Sequence, residues 1–262
     1  MHTVVGPLFG KAKVKLTQTP RAVTPFGGLV SFVTFLERSG FAEQVQAHLP
    51  WQLVSPNAIP LAHTFSAFVI GVVTGARRFA HTELARADRA LHVLLGMPRW
   101  PGADTVRGLF HRFTQGTIQQ FWRPLWVWLL GRVTCPAEGF SLDLDSTVFQ
   151  RAGRQQGAAK GYNPRRPGRK SHHPILAVLA EVPLVLHGWL RSGNSGAAKG
   201  AVAFLCEALA LLPVGWGIRC VRADSGFFDN ALLSFLEQRH VPYLVVARLT
   251  TQLKRKAASL RD

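Results

Sequence analysis

Between residues 26 and 133 the apolar positions recur at helical spacing. Leu29, Phe32, Val33 and Leu36 mark one segment, and Phe65, Phe68, Val69 and Val72 mark another. Gly40, Pro50, Pro56, Pro60, Pro98 and Pro101 fall between such segments, where helices end. Asp104-Thr105-Val106-Arg107, directly after Pro101-Gly102, reads as a capped helix start. After Pro136 the period shortens. Over 140–149, Leu142 and Leu144 alternate with Ser141, Asp143 and Asp145, which predicts a strand carrying both aspartates on one face. Segments 174–180 and 184–190 predict antiparallel neighbours turning at Glu181-Val182-Pro183. A helix over 200–212, a strand over 218–222, a helix over 229–239 and a buried strand over 243–248 complete the series.

Written out, the second half is βββαβαβ, the order of an RNase H-like core. The predicted class is therefore α/β: an RNase H-like mixed sheet over 136–262, preceded by an all-helical domain over 26–135. Residues 1–25 hold Lys11, Lys13, Lys15 and Arg21 among turn-forming glycine and proline, so they read as a basic flexible arm. A hydrophobic content of 47% can furnish a core for a chain of 262 residues.

Charge narrows the partners. There are 31 Lys+Arg against 14 Asp+Glu, a net charge of +17 whose simplest counterpart is a polyanion. The helical half repeats arginine at 77, 78, 86, 89, 99, 107 and 112, and a helix presenting Arg107, His111 and Arg112 either enters a DNA groove or lies on a solvated surface. This half is thus expected to bind DNA. Trp122, Trp126 and Trp128 sit among apolar neighbours and are expected to pack between helices instead of stacking on bases. Cys135, Cys206 and Cys220 are scattered, odd in number and without CxxC spacing, which argues against zinc and for a reducing cytoplasm. The apolar runs 65–73 and 125–130 are shorter than the roughly 20 residues a membrane helix needs, and no signal-peptide core is evident. The expectation is a cytoplasmic protein with no membrane partner.

The chemistry resides in carboxylates at strand ends. Asp145 closes the first predicted strand and Asp224 follows the fourth; if those strands are neighbours the two carboxylates meet. Phosphodiester cleavage by two metal ions requires such a meeting, because both ions, roughly 3.5–4 Å apart, must touch one phosphate. All-oxygen ligation favours Mg²⁺ or Mn²⁺. Asp143 shares the face of Asp145, either as an outer group orienting the ligands or as the partner of a neighbouring arginine. Between the acids, 151–173 carries Arg151, Arg154, Lys160, Arg165, Arg166, Arg169 and Lys170 with no acidic residue and reads as a loop. It is expected to follow a nucleic-acid backbone, with Tyr162, His172 and His173 contacting nucleotides. Arg191, Asn194 and Arg248 are further phosphate candidates, with structural capping as the alternative for the first two.

Residues 141–250 resemble a DDE-type transposase of a bacterial insertion sequence. The resemblance is carried by Asp143-Leu144-Asp145-Ser146-Thr147, Gly157-Ala158-Ala159-Lys160-Gly161-Tyr162-Asn163-Pro164, Gly168-Arg169-Lys170-Ser171-His172-His173-Pro174, Leu190-Arg191-Ser192-Gly193-Asn194, Arg222-Ala223-Asp224-Ser225-Gly226-Phe227 and Val246-Ala247-Arg248-Leu249-Thr250. Leu94-Leu95-Gly96-Met97-Pro98 adds a weaker match, and the insertion-sequence family numbered thirteen-eighty is the group it resembles in particular. The resemblance implies an RNase H-like catalytic domain with Asp145 and Asp224 as first and second acids and two Mg²⁺ or Mn²⁺ ions. It also implies hydrolysis at element ends, attack of the freed 3′-OH on target DNA, and a possible homodimer on paired ends. Family members carry a third acid, a helical glutamate beyond the last core strand, and no glutamate here occupies that place; the expectation is a catalytic domain incomplete at its C-terminus, with impaired cleavage. Two alternatives stand beside it: a non-catalytic protein occupying element ends in competition with intact transposase, and a general RNase H-like nuclease.

Overall fold

The computed structural model describes residues 2–5, 14–17, 20–21, 23–247 and 250–259. Two compact units are present, Met1–Leu125 and Trp126–Asp262.

In the first unit, β1 (His2–Val5) and β2 (Val14–Thr17) pair antiparallel with His2 opposite Thr17 and Val5 opposite Val14. Both strands lie within the stretch expected as a flexible arm, where Thr3, Val4, Val5, Val14 and Thr17 are β-branched and suit a paired ribbon. Helices follow: α1 (Leu29–Arg38), α2 (Phe41–His48), α3 (Leu61–Val73), α4 (Thr82–Arg86), α5 (Arg89–Leu94), α6 (Ala103–His111) and α7 (Gln115–Leu130), the last crossing the division between units. Their core is aromatic. Phe65 of α3 packs edge-on to Phe121 at 5.2 Å and to Trp122 at 5.8 Å, and Phe68 meets Phe110 at 4.7 Å. Val106 and Leu109, three apart on α6, are buried as helical periodicity requires. The cap of α6 differs from expectation. Gly102 is its N-cap residue and supplies no side chain; the Glu83 carboxylate of α4 instead accepts from the Ala103 N–H at 3.1 Å, while Asp104 pairs with Arg107 one turn on.

The second unit is mixed α/β. Its strands are β3 (Phe140–Ser146), β4 (Phe149–Gln150), β5 (Ala159–Lys160), β6 (Lys170–His172), β7 (Ile175–Leu179), β8 (Leu184–Trp189), β9 (Ile218–Ala223) and β10 (Tyr243–Val245), and its remaining helices are α8 (Ala201–Leu209), α9 (Asn230–Gln238) and α10 (Thr251–Ala258). Five strands form one sheet in the order β10-β9-β3-β7-β8, with β10, β9 and β3 parallel and β3, β7 and β8 antiparallel. The turn at Glu181-Val182-Pro183 joins β7 to β8, as the pattern predicts. Phe140, Leu142 and Leu144 of β3, Val221 of β9, Phe204 and Leu205 of α8, and Leu232 and Leu236 of α9 share one buried core. Trp126, expected to pack between helices, instead donates its indole N–H to the Leu186 carbonyl of β8 and packs partly buried against this core.

The last strand, expected to be buried over 243–248, is instead an edge strand over Tyr243–Val245 with Leu244 68% exposed, because β9 covers it on one side alone, and two further stretches depart from the pattern. The strand expected over 140–149 stops at Ser146, because the Thr147 N–H turns to the Pro174 carbonyl and Phe149 pairs instead with His172 in a second sheet, β4-β6-β5. The segment 151–173, expected as a loop, supplies two strands of that sheet. Among the described residues no helix is long and apolar enough to cross a membrane.

Candidate functional site

Parallel pairing of β3 with β9 sets Asp143 opposite Arg222 and Leu144 opposite Ala223. One residue beyond this register come Asp145, within β3, and Asp224, just past the end of β9, on neighbouring strands whose spacing is about 4.8 Å. Both are exposed, because the core takes the alternate residues Leu142, Leu144 and Val221. Each carboxylate is fixed locally by one backbone donor. Asp145 Oδ1 accepts from the Ser146 N–H at 2.7 Å; Asp224 Oδ1 accepts from the Gly226 N–H at 2.9 Å and caps the short 3₁₀ turn Ser225–Phe227. Gly226 is required there: a Cβ would sit 3.0 Å from that carboxylate oxygen and 2.9 Å from the Ala197 methyl. Phe227, fully buried, anchors the turn in the core. Neither aspartate forms an ion pair among the described residues.

Asp143 is engaged otherwise. Arg222 grips it at two points, Nε to Oδ1 at 2.5 Å and Nη2 to Oδ2 at 2.7 Å. Hydrogen bonding to Asp143 and its negative charge raise the Arg222 guanidinium above its ordinary pKa. Pattern reasoning named an arginine partner for Asp143 only generically. The identity was available: Asp143 lies two residues before Asp145 and Arg222 two before Asp224, so parallel neighbours with aligned ends must pair them.

Three residues expected to contact DNA are engaged within the protein, Arg191 in the capping role that was its alternative. His172 and His173 are 5% and 6% exposed. His172 Nδ1 accepts from Arg151 Nε at 3.1 Å while its Nε2 lies 2.8 Å from the Gln156 carbonyl, and His173 Nδ1 lies 2.5 Å from the Ser195 carbonyl. The His172 ring ties β6 to the 151–156 stretch, and the His173 ring ties the end of β6 to the turn at Ser195. Arg191, 9% exposed, donates from Nε to the His173 carbonyl at 3.0 Å and from Nη1 to the carbonyls of Gly196, Ala197 and Lys199 at 3.2, 3.0 and 2.7 Å. It clamps the 192–199 turn, and burial lowers its pKa below the ordinary value.

The rest of the basic segment faces solvent. Arg154, Lys160, Arg165, Arg166, Arg169 and Lys170 are exposed, and none forms an ion pair among the described residues. Tyr162 is 72% exposed and Asn194 is exposed, whereas Arg151 is half-buried against His172 and over the Phe149 ring at 5.7 Å. Lys160 and Lys170 are direct cross-strand partners, a like-charge juxtaposition that is unfavourable unless an anion lies over it. Gly161 and Gly193 bring two backbones together beneath this surface; a Cβ on Gly193 would overlap the Ser171 and Ala159 carbonyl oxygens, and one on Gly161 the Gly193 carbonyl oxygen. Arg248 lies outside the described residues.

The donor set suits a hard cation. Two adjacent carboxylates offer oxygen alone, and Mg²⁺ or Mn²⁺ fills its remaining positions with water or phosphate oxygens. No group of three or more His, Cys, Asp or Glu side chains gathers among the described residues. Glu181 accepts from the Ser141 N–H at 3.0 Å, Glu207 from Trp189 Nε1 at 2.8 Å, and Glu237 from the Tyr243 hydroxyl at 2.8 Å.

A family model described as transposase DDE domain group 1 matches residues 7–262. Among solved structures, the chain is similar to piggyBac transposase in a synaptic complex with hairpin DNA (14% identity, TM-score 0.43, covering 89% of this chain and 53% of that one). It is similar to Mos1 transposase in a paired-end complex with the left transposon end (9% identity, TM-score 0.30, covering 80% and 74%). It is similar also to Drosophila P element transposase in a strand transfer complex (10% identity, TM-score 0.35, covering 82% and 47%). The chain spans about half the length of the piggyBac and P element chains. No curated protein matches it.

Proposed function

The chain belongs to the DDE transposases, and from that premise we propose that it cleaves insertion-sequence ends through Asp145 and Asp224 while its basic surface holds the DNA. The observation carrying this reading is the β3–β9 register, which brings Asp145 and Asp224 one residue beyond the last paired positions of two parallel neighbours, neither with an ion pair among the described residues. The strand order β10-β9-β3-β7-β8 supports an RNase H-like assignment for the domain.

Divalent ions, when bound, activate the attacking oxygen and stabilise the leaving one. Asp145 and Asp224 would hold them, each carboxylate aimed by its own backbone N–H. Arg154, Lys160, Arg165, Arg166, Arg169 and Lys170 would bind phosphates, the uncompensated Lys160–Lys170 pair being relieved by a polyanion. Tyr162 offers an exposed ring to a base, and Asn194 a donor near it. Arg107, His111 and Arg112, exposed on or just after α6, are candidate contacts of a helical DNA-binding domain over 26–135.

The test uses duplexes carrying element ends and scrambled duplexes in Mg²⁺ and Mn²⁺. Asp145→Ala and Asp224→Ala are expected to abolish metal-dependent end cleavage and leave retention in gel shifts unchanged. Cleavage persisting in either variant removes that residue from the site. A second reading, a non-catalytic binder of element ends, is favoured by the engagement of Glu181, Glu207 and Glu237 away from the two aspartates. End-specific binding without nicking in either metal supports it.

A further inference from the structure

Behind the carboxylate row, on the same sheet face, stands the Asp143–Arg222 pair. The parallel register sets it two residues back from Asp145 and Asp224 on both strands at once. Two residues of strand amount to roughly 6.7 Å, inside the roughly 8 Å screening length at physiological salt. Both side chains are partly open to solvent, 45% for Arg222 and 39% for Asp143. Exposed pairs of this kind contribute little to stability. Their charges nevertheless lie close enough to act on a cation held at the strand ends.

We infer that the Asp143–Arg222 pair sets the divalent-cation affinity of the Asp145/Asp224 site. The guanidinium binds both Asp143 oxygens, which withholds a third carboxylate from the site and places a compensating positive charge beside it. The row therefore presents two ligands instead of three, and its negative potential is that of two carboxylates. This inference rests on Asp145 and Asp224 being a cation site.

Charge-specific action has a signature that a packing role lacks: the two halves of the pair act with opposite sign. Removing Arg222 frees Asp143 and deepens the negative potential; removing Asp143 leaves an uncompensated cation facing the metal. Titration of the full chain with Mn²⁺ alone, followed by the electron paramagnetic resonance of the free ion at low ionic strength, reads this without any turnover. Arg222→Gln is expected to tighten Mn²⁺ binding about 3- to 10-fold and Asp143→Asn to weaken it by a similar factor. The double variant is expected to return within about twofold of the unsubstituted chain, as is Arg222→Lys, which keeps the charge. Raising the salt towards 1 M should shrink both single shifts. Shifts of the same sign in the two single variants, or no shift in either, overturn the inference provided that Asp145→Asn still removes binding. If the unsubstituted chain shows no Mn²⁺ binding that Asp145→Asn removes, the cation-site reading itself fails, and the pair's role with it.

Discussion

Gly193 shows how a single residue governs the site at a distance. Its backbone lies against the carbonyls of Ser171 and Ala159, which brings the Arg191 clamp and the second sheet together under the exposed lysines and arginines. No side chain fits there without displacing backbone. Gly193→Ala is expected to destabilise the chain by about 2 kcal/mol or more, seen as a lower denaturant midpoint, with Gly196→Ala, at an open position, as the mild control. Asp224 depends on the same kind of close approach: only glycine at 226 lets the N–H reach the carboxylate it orients.

At the scale of elements, the site depends on β3 keeping its register between β7 and β9. Glu181, in the β7–β8 turn, secures the opposite end of β3 through both oxygens, each 3.0 Å from the Ser141 N–H, and Arg219 of β9 joins the cluster at 3.6 Å from Glu181 and 2.9 Å from the Ser141 hydroxyl. Desolvation opposes ionisation of Glu181. The Ser141 hydrogen bonds and Arg219 outweigh it, and the carboxyl is held below its ordinary value of 4.5. A carboxyl depressed by folding stabilises the fold above its unfolded pKa, and that contribution disappears as pH falls through the folded value. Denaturation midpoints measured from about pH 6 to about pH 3 should therefore show Glu181→Gln less stable at the upper end and converging on the unsubstituted chain at the lower end. A gap that widens on acidification would reverse the assignment.

Over the whole molecule, the excess charge of +17 predicts a polyanion partner and steep salt dependence. Six of those charges, Arg154, Lys160, Arg165, Arg166, Arg169 and Lys170, lie exposed and, among the described residues, without ion pairs. Replacing all six by glutamine is expected to flatten the slope of log binding constant against log salt by up to about 5, at roughly 0.9 for each phosphate no longer neutralised. Gel shifts between 50 and 200 mM salt, on the order of the range where such slopes are read, provide the measurement. An unchanged slope would move DNA binding elsewhere, to the arginines of the helical unit or to α10 with its Lys254, Arg255 and Lys256.

The one-dimensional pattern determined the main helices and the strands of the larger sheet, but not the burial of the last of those strands. Alternation in Leu142-Asp143-Leu144-Asp145 assigns a face to each side chain, and apolar recurrence at three and four assigns α1, α3, α8 and α9, because strand and helix periods are local properties. The carboxylate pair was legible as well, since two strands ending in aspartate have only to be neighbours. Tertiary structure decided what depends on long-range partners. His172, His173 and Arg191 look like ligand contacts in a basic stretch, yet they are consumed by the carbonyls of Gln156, Ser195 and His173, 16, 22 and 18 residues away. Likewise the segment 151–173, rich in glycine and proline, has no period to announce β5 and β6; they pair with each other, and β6 with β4, partners that no local pattern records.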